Sequence, residues 1–158
     1  MRRGWMRVFG FSASITVGAA YVGNVLATPA SGFGSTSLAV GRFGVIDVPS
    51  HVLETRGPSD LYVQSNVWAP RGTTGWHTHP GQSLIIVTAG TVTAYEGDDP
   101  SCTPHVYTAG MGIVDPGGDH VHVLRNEDSI EARTIAVQLI PADATRRIDA
   151  EGPAACPF

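Results

Sequence analysis

Two short histidine clusters carry the residues of this sequence that are best suited to chemistry. One contains His77 and His79 and the other contains His120 and His122, so four of the six histidines fall in two His-x-His pairs. Residues i and i+2 of a β-strand point to the same face of a sheet. Each pair would therefore direct two imidazoles to one side, and neutral imidazole is the commonest protein ligand of transition metals. Two facing pairs predict a metal site.

The elements that would position these pairs are short β-strands separated by turns. The 158 residues include 19 Gly and 11 Pro, a composition that favours turns over long helices. Residues 61–69 alternate between two faces with a period of two, which indicates a strand. Further segments predict strands at 38–48, 83–88, 91–96, 105–108, 113–115, 120–125 and 130–140, with a continuous buried strand at 83–88. This succession predicts an all-β barrel or sandwich in a single domain.

The first 27 residues have the layout of a secretory signal peptide. Three arginines precede an uncharged, largely apolar run at 8–26, and a small-x-small cleavage pattern follows it. A retained membrane anchor is the alternative, because about 20 apolar residues can span a bilayer. We therefore expect an exported protein, with a flexible N-terminal arm at 28–37 and a barrel domain with a C-terminal tail at 38–158.

The net charge of the chain limits the classes of binding partner, and its two cysteines bear on the redox state of its compartment. Removal of the three leader arginines would move the formal net charge from −4 to −7 and leave no basic face. Nucleic acid and anionic membrane surfaces are therefore not expected as partners. An exported domain with two cysteines, Cys102 and Cys156, is expected to pair them, which would tie the tail to the loop at 98–104. Two free thiols in a reducing compartment are the alternative.

The spacing of residues around the two histidine pairs resembles the two sequence motifs of the cupins. The first motif is Gly-x5-His-x-His-x3,4-Glu-x6-Gly, and this chain has a similar pattern from Gly72 to Gly90. The second is Gly-x5-Pro-x-Gly-x2-His-x3-Asn, with its counterpart from Gly110 to Asn126. The run that begins at His77, His-Thr-His-Pro-Gly, further resembles the germin branch. The resemblance implies a single-domain jelly-roll β-barrel with a ligand cavity.

The resemblance also implies a metal site formed by His77, His79 and His122. Three histidines leave open positions for water or substrate, as at catalytic metal sites. The expected cofactor is one divalent transition metal, and imidazole ligands suit Mn, Fe, Ni, Cu and Zn without selecting one of them.

The glutamate of the first cupin motif has no counterpart in this chain. Counting back from the last glycine of the motif places Ser83 at its position, whereas counting forward from the histidines places Leu84 there. Neither is a normal metal ligand. We expect His120, on the same strand face as His122, to fill the vacant place, with Gln82 as the less favoured alternative.

Several functions are compatible with such a site. The leading interpretation is an exported oxidase or dioxygenase that acts on a small molecule, and the alternative is a non-catalytic module that binds a metal or a small ligand. A structural barrel held by the disulfide is a third. No catalytic residue is assigned, because without the glutamate a general base would have to be recruited from His120. Arg125 or Arg133 could bind an anionic substrate or pair with outer carboxylates. Cupins commonly form a homodimer through their sheet edges, although no single feature of this sequence demands one.

Overall fold

A computed structural model describes residues 28–47 and 53–158, and the chain there is built from β-strands. The predicted signal peptide at 1–27 lies outside the described residues. Within these two ranges, no helix is long and apolar enough to cross a membrane. The strands are β1 (Ser31–Phe43), β2 (Ser59–Thr73), β3 (His77–Thr78), β4 (Ser83–Ala89), β5 (Thr91–Glu96), β6 (His105–Thr108), β7 (Gly112–Asp115), β8 (His122–Arg125), β9 (Ala132–Pro141) and β10 (Ile148–Asp149).

The strands form one antiparallel sheet that curls into a nearly closed barrel. Its main path runs β10-β3-β8-β2-β9-β4-β7, while β1 pairs with β2, and β5 pairs with β6 and β8. The longest ladder without a register shift joins β2 to β9 from Ser59↔Pro141 to Trp68↔Ala132. This is an all-β jelly roll, which confirms the predicted fold class.

The main core fills the inside of the barrel. Alternate residues of the strands point inward there, as a period of two requires. The buried cluster consists of Trp68, Ile85, Val87, Val92, Ala94, Ile113, Leu124, Ala132 and Ala136. The prediction of a continuously buried strand at 83–88 is wrong, because Leu84 and Ile86 on the outer face are 55 % and 54 % exposed. In the described part of the chain, other residues cover only the inner face of β4, and its outer face is open.

The N-terminal segment differs from the sequence prediction. Residues 31–37, expected to be part of a flexible arm, belong to β1, which pairs with β2 along its whole length. Phe33 lies opposite Trp68 in this ladder, and their ring centroids are 4.8 Å apart. The small polar residues of the segment give no strand pattern in the sequence. Hydrogen bonds to β2 and this aromatic contact stabilise the strand.

The two motif loops are held together at glycines. Gly117 has a φ of 70°, and a side chain on it would collide with the backbone of Gly81. The Gly118 amide donates a hydrogen bond of 2.7 Å to the carbonyl of His79, and the Thr78 hydroxyl donates to the carbonyl of Gly118. Since only glycine allows this approach, the motif glycines fix β3 against the turn that precedes β8.

The C-terminal tail is largely loop, as the sequence predicts, and it contributes Cys156 and Phe158 to a second core. A disulfide joins Cys102 to Cys156, as predicted, across 54 residues of sequence. Next to it, the Phe158 ring packs against Trp76 and Tyr95, with centroid distances of 6.4 and 4.8 Å. The tail also supplies β10, which pairs with β3. The disulfide therefore anchors the segment that supports the first histidine pair from outside.

We expect the double variant Cys102→Ser/Cys156→Ser to lower the free energy of unfolding by about 2–4 kcal/mol, because the closed loop restricts the unfolded chain. Urea unfolding followed by tryptophan fluorescence measures this difference. Wild-type protein unfolded in reductant serves as the control and should match the variant. Equal values for the variant and the oxidised wild type would contradict the structural role of the disulfide.

Candidate metal centre

Three of the four motif histidines converge at one place inside the barrel. His77 lies on β3 directly opposite His122 on β8, and His79 follows two residues after His77. One ring nitrogen from each lies within 4.8 Å of the other two. The ring centroids are 4.5 Å apart for His77 and His122, 4.8 Å for His77 and His79, and 5.7 Å for His79 and His122. The antiparallel pairing of β3 with β8 creates this cluster.

Backbone carbonyls orient the imidazole rings. The Nδ1 atom of His77 is 2.8 Å from the carbonyl oxygen of Gly75, and Nδ1 of His79 is 2.6 Å from that of Arg146. A ring that donates its Nδ1–H to a carbonyl presents an unprotonated Nε2, which is the arrangement found in metal-binding histidines. Gly75 has a φ of 68°, so the turn before the first histidine requires glycine.

Burial keeps the three rings uncharged. Desolvation is the main cause in each case: it lowers the pKa of His77 to about 2 and that of His122 to about 4, and it lowers the pKa of His79 as well. The carboxylate of Asp115 partly opposes the effect at His122 and His79. Metal ligands must be deprotonated, so three neutral imidazoles that face one another fit a divalent transition metal.

A cavity of about 130 Å³ opens beside the three histidines. Its wall combines apolar side chains with amides and two guanidinium groups. The lining residues other than the histidines include Phe33, Gln64, Asn66, Trp68, Ile85, Leu124, Gln138, Arg146 and Arg147. This volume suits a small molecule of a few heavy atoms, since pockets for drug-sized ligands begin at about 300 Å³.

The structure resolves which residue occupies the position of the missing glutamate. Ser83 is buried and lines the cavity, whereas the side chain of Leu84 is on the outside of the barrel. Gln82 is exposed and belongs to the wall of a different surface pocket. Ser83 therefore stands at the position of the motif glutamate. The side chain of Gln82 lies elsewhere and does not reach this position.

His120 lies outside the three-histidine cluster. β8 begins at His122, so His120 is in the preceding turn and not on the same strand face as expected. Its ring stacks on that of His122 at 5.5 Å, and its Nε2 is 2.6 Å from Oε2 of Glu96. His120 instead forms a second group of potential ligands with His122 and Asp115.

Asp115 is a candidate site residue that the sequence analysis missed. It is 3 % exposed and lies between the two ligand groups. Its Oδ2 is 3.8 Å from Nε2 of His79, and its Oδ1 is 3.5 Å from Nδ1 of His120 and 3.7 Å from Nδ1 of His122. The sequence feature that could have identified Asp115 is a carboxylate at the end of an apolar strand, directly before the Pro-Gly-Gly turn of the second motif.

The arginines near the cavity were also missed. Arg146 and Arg147 line the cavity, although they lie in the tail that was expected to be loop-like. The two arginines singled out from the sequence do not line it. Arg125 pairs with Glu127 at 3.4 Å, and Arg133 pairs with Glu131 at 2.6 Å, as expected for outer-face arginines.

We expect the metal-free protein to lose stability in acid because of these buried histidines. Since their pKa values in the folded state lie below the ordinary 6.5, the unfolded chain takes up protons first as the pH falls. The free energy of unfolding should be at its full value above about pH 6.5 and fall below it, by up to about 1.4 kcal/mol per pH unit for each histidine.

Urea unfolding of chelator-treated protein at neutral pH and at pH 5 measures this dependence. His122→Gln should flatten it, whereas His105→Gln, which changes an exposed histidine, should leave it unchanged. Equal stability of the metal-free wild type at the two pH values would contradict the burial of neutral imidazoles.

Comparison with known proteins finds a family model that matches part of the chain and several similar solved structures. Residues 67–138 match the family described as "Cupin domain". Among solved structures, a cupin domain from Bordetella pertussis Tohama I has 18 % identity, covers 72 % of this chain and 97 % of that chain, and has a TM-score of 0.48. An oxalate oxidase has 20 % identity over 84 % of this chain and 63 % of its own, also with a TM-score of 0.48.

A cupin superfamily protein from Desulfitobacterium hafniense DCB-2 has 11 % identity, with 66 % of this chain and 81 % of that chain covered and a TM-score of 0.45. No curated protein matches the chain. The family match spans residues 67–138, a segment that contains both histidine pairs.

Proposed function

We propose that this protein binds one divalent transition metal through His77, His79 and His122 and takes a small molecule into the adjoining cavity. The observation that carries the proposal is the convergence of three neutral imidazoles inside the barrel, those of His77 and His122 buried and that of His79 half-buried. Two of these rings have their Nδ1 atoms fixed by backbone carbonyls, which leaves Nε2 for a metal. We also propose that the chain is a single-domain cupin of the germin branch, on the basis of its His-Thr-His-Pro-Gly run.

The residues around the cavity would bind and orient the small molecule. The bound metal would supply Lewis-acid or redox chemistry. Trp68, Ile85 and Leu124 form an apolar wall that would exclude water from the bound molecule. Arg146 stacks over the ring of Tyr62 at 4.4 Å and donates from Nε to Gln138, so its guanidinium is held at the cavity wall. A guanidinium in this place favours a molecule with an oxygen-bearing or anionic group.

An oxidase or dioxygenase is the catalytic form of this proposal, and a non-catalytic metal- or ligand-binding module is the second candidate. The second is favoured by the serine at the position of the family glutamate, because Ser83 cannot act as that carboxylate does. Oxygen consumption by the metal-loaded protein with a panel of small acids and phenols separates the two. Turnover supports the enzyme, whereas binding without turnover supports the module.

We propose that the protein is exported. Structural disulfides form and persist in oxidising compartments, and the Cys102–Cys156 bond supports such a location. The layout of the first 27 residues as a secretory leader agrees with it.

We also propose that two copies of the chain associate through the outer face of the sheet. The strand register places Val63, Val137, Leu84 and Val114 side by side across β2, β9, β4 and β7. Leu84 and Val114 are 55 % and 69 % exposed, so this row is an apolar strip on the surface of the described chain. A sheet face can meet its own copy across a two-fold axis, which makes a second copy the simplest cover.

Replacement of a ligand should abolish metal binding. The tag-free wild-type protein is expected to hold close to one equivalent of metal, and His77→Ala is expected to hold little, because the variant retains two of three imidazoles. Elemental analysis after dialysis measures the content. His105→Ala, at an exposed histidine, should keep the wild-type amount. Equal metal in the wild type and His77→Ala would contradict the proposal.

Placement of a charge within the outer apolar strip should separate the copies. Size-exclusion chromatography with light scattering is expected to give a dimer for the wild type and a monomer for Leu84→Glu, because the carboxylate would be buried unpaired in the interface. Val106→Glu, at an exposed apolar residue on β6, is the matched control and should remain a dimer. A monomeric wild type would contradict this proposal.

A further inference from the structure

We propose that Asp115 is a fourth protein ligand of the metal and that it supplies, from the neighbouring strand, the carboxylate that the first motif lacks. This inference rests on the proposed metal site of His77, His79 and His122. It concerns a residue of this chain that lies in neither the histidine pairs nor the position of the family glutamate.

The register between β4 and β7 places Asp115 next to the vacant position. Ser83, which stands where the glutamate is missing, is the direct cross-strand partner of Asp115. The Ser83 hydroxyl donates a hydrogen bond of 3.2 Å to Oδ2 of Asp115. The side chain of Ser83 is too short and has no charge to replace the glutamate as a metal ligand. A carboxylate oxygen of Asp115, however, lies within hydrogen-bond distance of it. A carboxylate has therefore been exchanged for a hydroxyl at one strand and introduced at its neighbour.

The contact with His79 places this carboxylate on the metal side of the ring. His79 uses Nδ1 for the carbonyl of Arg146, so Nε2 is its ligand atom. Oδ2 of Asp115 is 3.8 Å from this same Nε2. Two ligand atoms that each bind one ion at about 2.1 Å can be no more than about 4.2 Å apart, and this pair of atoms meets that limit. Asp115 is otherwise grouped with His120 and His122, so its carboxylate must shift towards His77 to share the ion of the three histidines. A carboxylate that only oriented His79 would contact Nδ1 instead.

The charge of Asp115 has no permanent cation beside it. The ion-pair partners that the described chain offers are the imidazoles of His79, His120 and His122. Its hydrogen bonds come from two neutral donors, the Ser83 hydroxyl and the Gly117 amide, the latter at 2.9 Å. A carboxylate that is 3 % exposed and held by neutral groups is costly to bury. A divalent cation at the three histidines would offset this cost.

The two oxygens of Asp115 have different environments. Oδ1 accepts from Gly117 and faces Nδ1 of His120 and of His122, so it is turned away from the ligand atom of His79. Oδ2 faces Ser83 and His79. Oδ1 thus anchors the carboxylate and Oδ2 is the oxygen available to a metal.

A chain of hydrogen bonds fixes this carboxylate from the cavity side. Nε of Arg146 donates to Oε1 of Gln138 at 3.1 Å, and Nε2 of Gln138 donates to the Ser83 hydroxyl at 3.3 Å. The hydroxyl then donates to Asp115. Each donor in this chain points towards the carboxylate, so Asp115 is held in place before a metal arrives, as a preorganised ligand requires.

Titration of the metal-free full chain with Co²⁺ tests the assignment. We expect Asp115→Asn to weaken Co²⁺ binding by about 100-fold or more, beyond the 10- to 100-fold range typical of groups that only orient a ligand. We also expect the visible absorption of Co²⁺ at saturation to change, because one ligand oxygen is replaced. Glu96→Gln removes the carboxylate that faces His120 and is the matched control, with the wild-type affinity and spectrum.

Two further measurements separate ligation from a structural role. Metal-free Asp115→Asn should be at least as stable as the metal-free wild type, since it removes a buried charge. The exchange variant Ser83→Glu/Asp115→Asn returns the carboxylate to the motif position and should recover Co²⁺ affinity to within about tenfold of the wild type.

An unchanged Co²⁺ spectrum in Asp115→Asn would overturn the assignment, even if the affinity fell. Loss of binding in His120→Ala with retention in His77→Ala would overturn it as well, because the metal would then lie in the second ligand group. A wild type that binds no Co²⁺ would instead contradict the proposed function itself.

Discussion

The pairing of β3 with β8, which sets His77 opposite His122, is the contact on which the candidate site depends. β3 has only two residues, so its own ladder cannot hold it in place. Its position comes from the glycine contact between the two motif loops on one side and from β10 on the other. The motif glycines and the histidines therefore form one structural unit: the glycines allow the backbone approach that places the rings.

The tail completes this arrangement from outside the barrel. Trp76, immediately before the first histidine pair, is buried against Phe158 near the disulfide. The backbone carbonyl of Arg146, also in the tail, accepts the hydrogen bond from His79. The tail, which is held by the disulfide and by packing, thus positions the imidazole rings through two separate contacts, one at Trp76 and one at His79. The tail is part of the site and not an appendage to it.

Much of the fold and the three-histidine cluster could be predicted from the sequence, because strand alternation and motif spacing are local signals. β5 and β6 begin and end where the pattern predicted. The rest depends on pairing between distant segments. The first half of β1, residues 31–37, could not be recognised from its small residues. Arg146 reaches the cavity only because the tail folds back, and Asp115 becomes a site residue only once β4 and β7 are in register. His120 precedes β8 and is not on the strand face that the sequence predicted for it.

The register of β4 and β7 also explains how the proposed metal site could include a carboxylate although the first motif lacks its glutamate. Side chains on directly opposed residues of antiparallel strands have Cβ atoms about 4.5–5.5 Å apart, so either strand can deliver an oxygen to the same point in a barrel. The exchange needs a shorter side chain at the first position to leave room, and Ser83 provides both that room and a hydrogen bond. It also needs an anchor for the other carboxylate oxygen, which the Gly117 amide in the motif turn supplies. A ligand set in this fold is therefore a property of the sheet geometry and not of one strand's sequence.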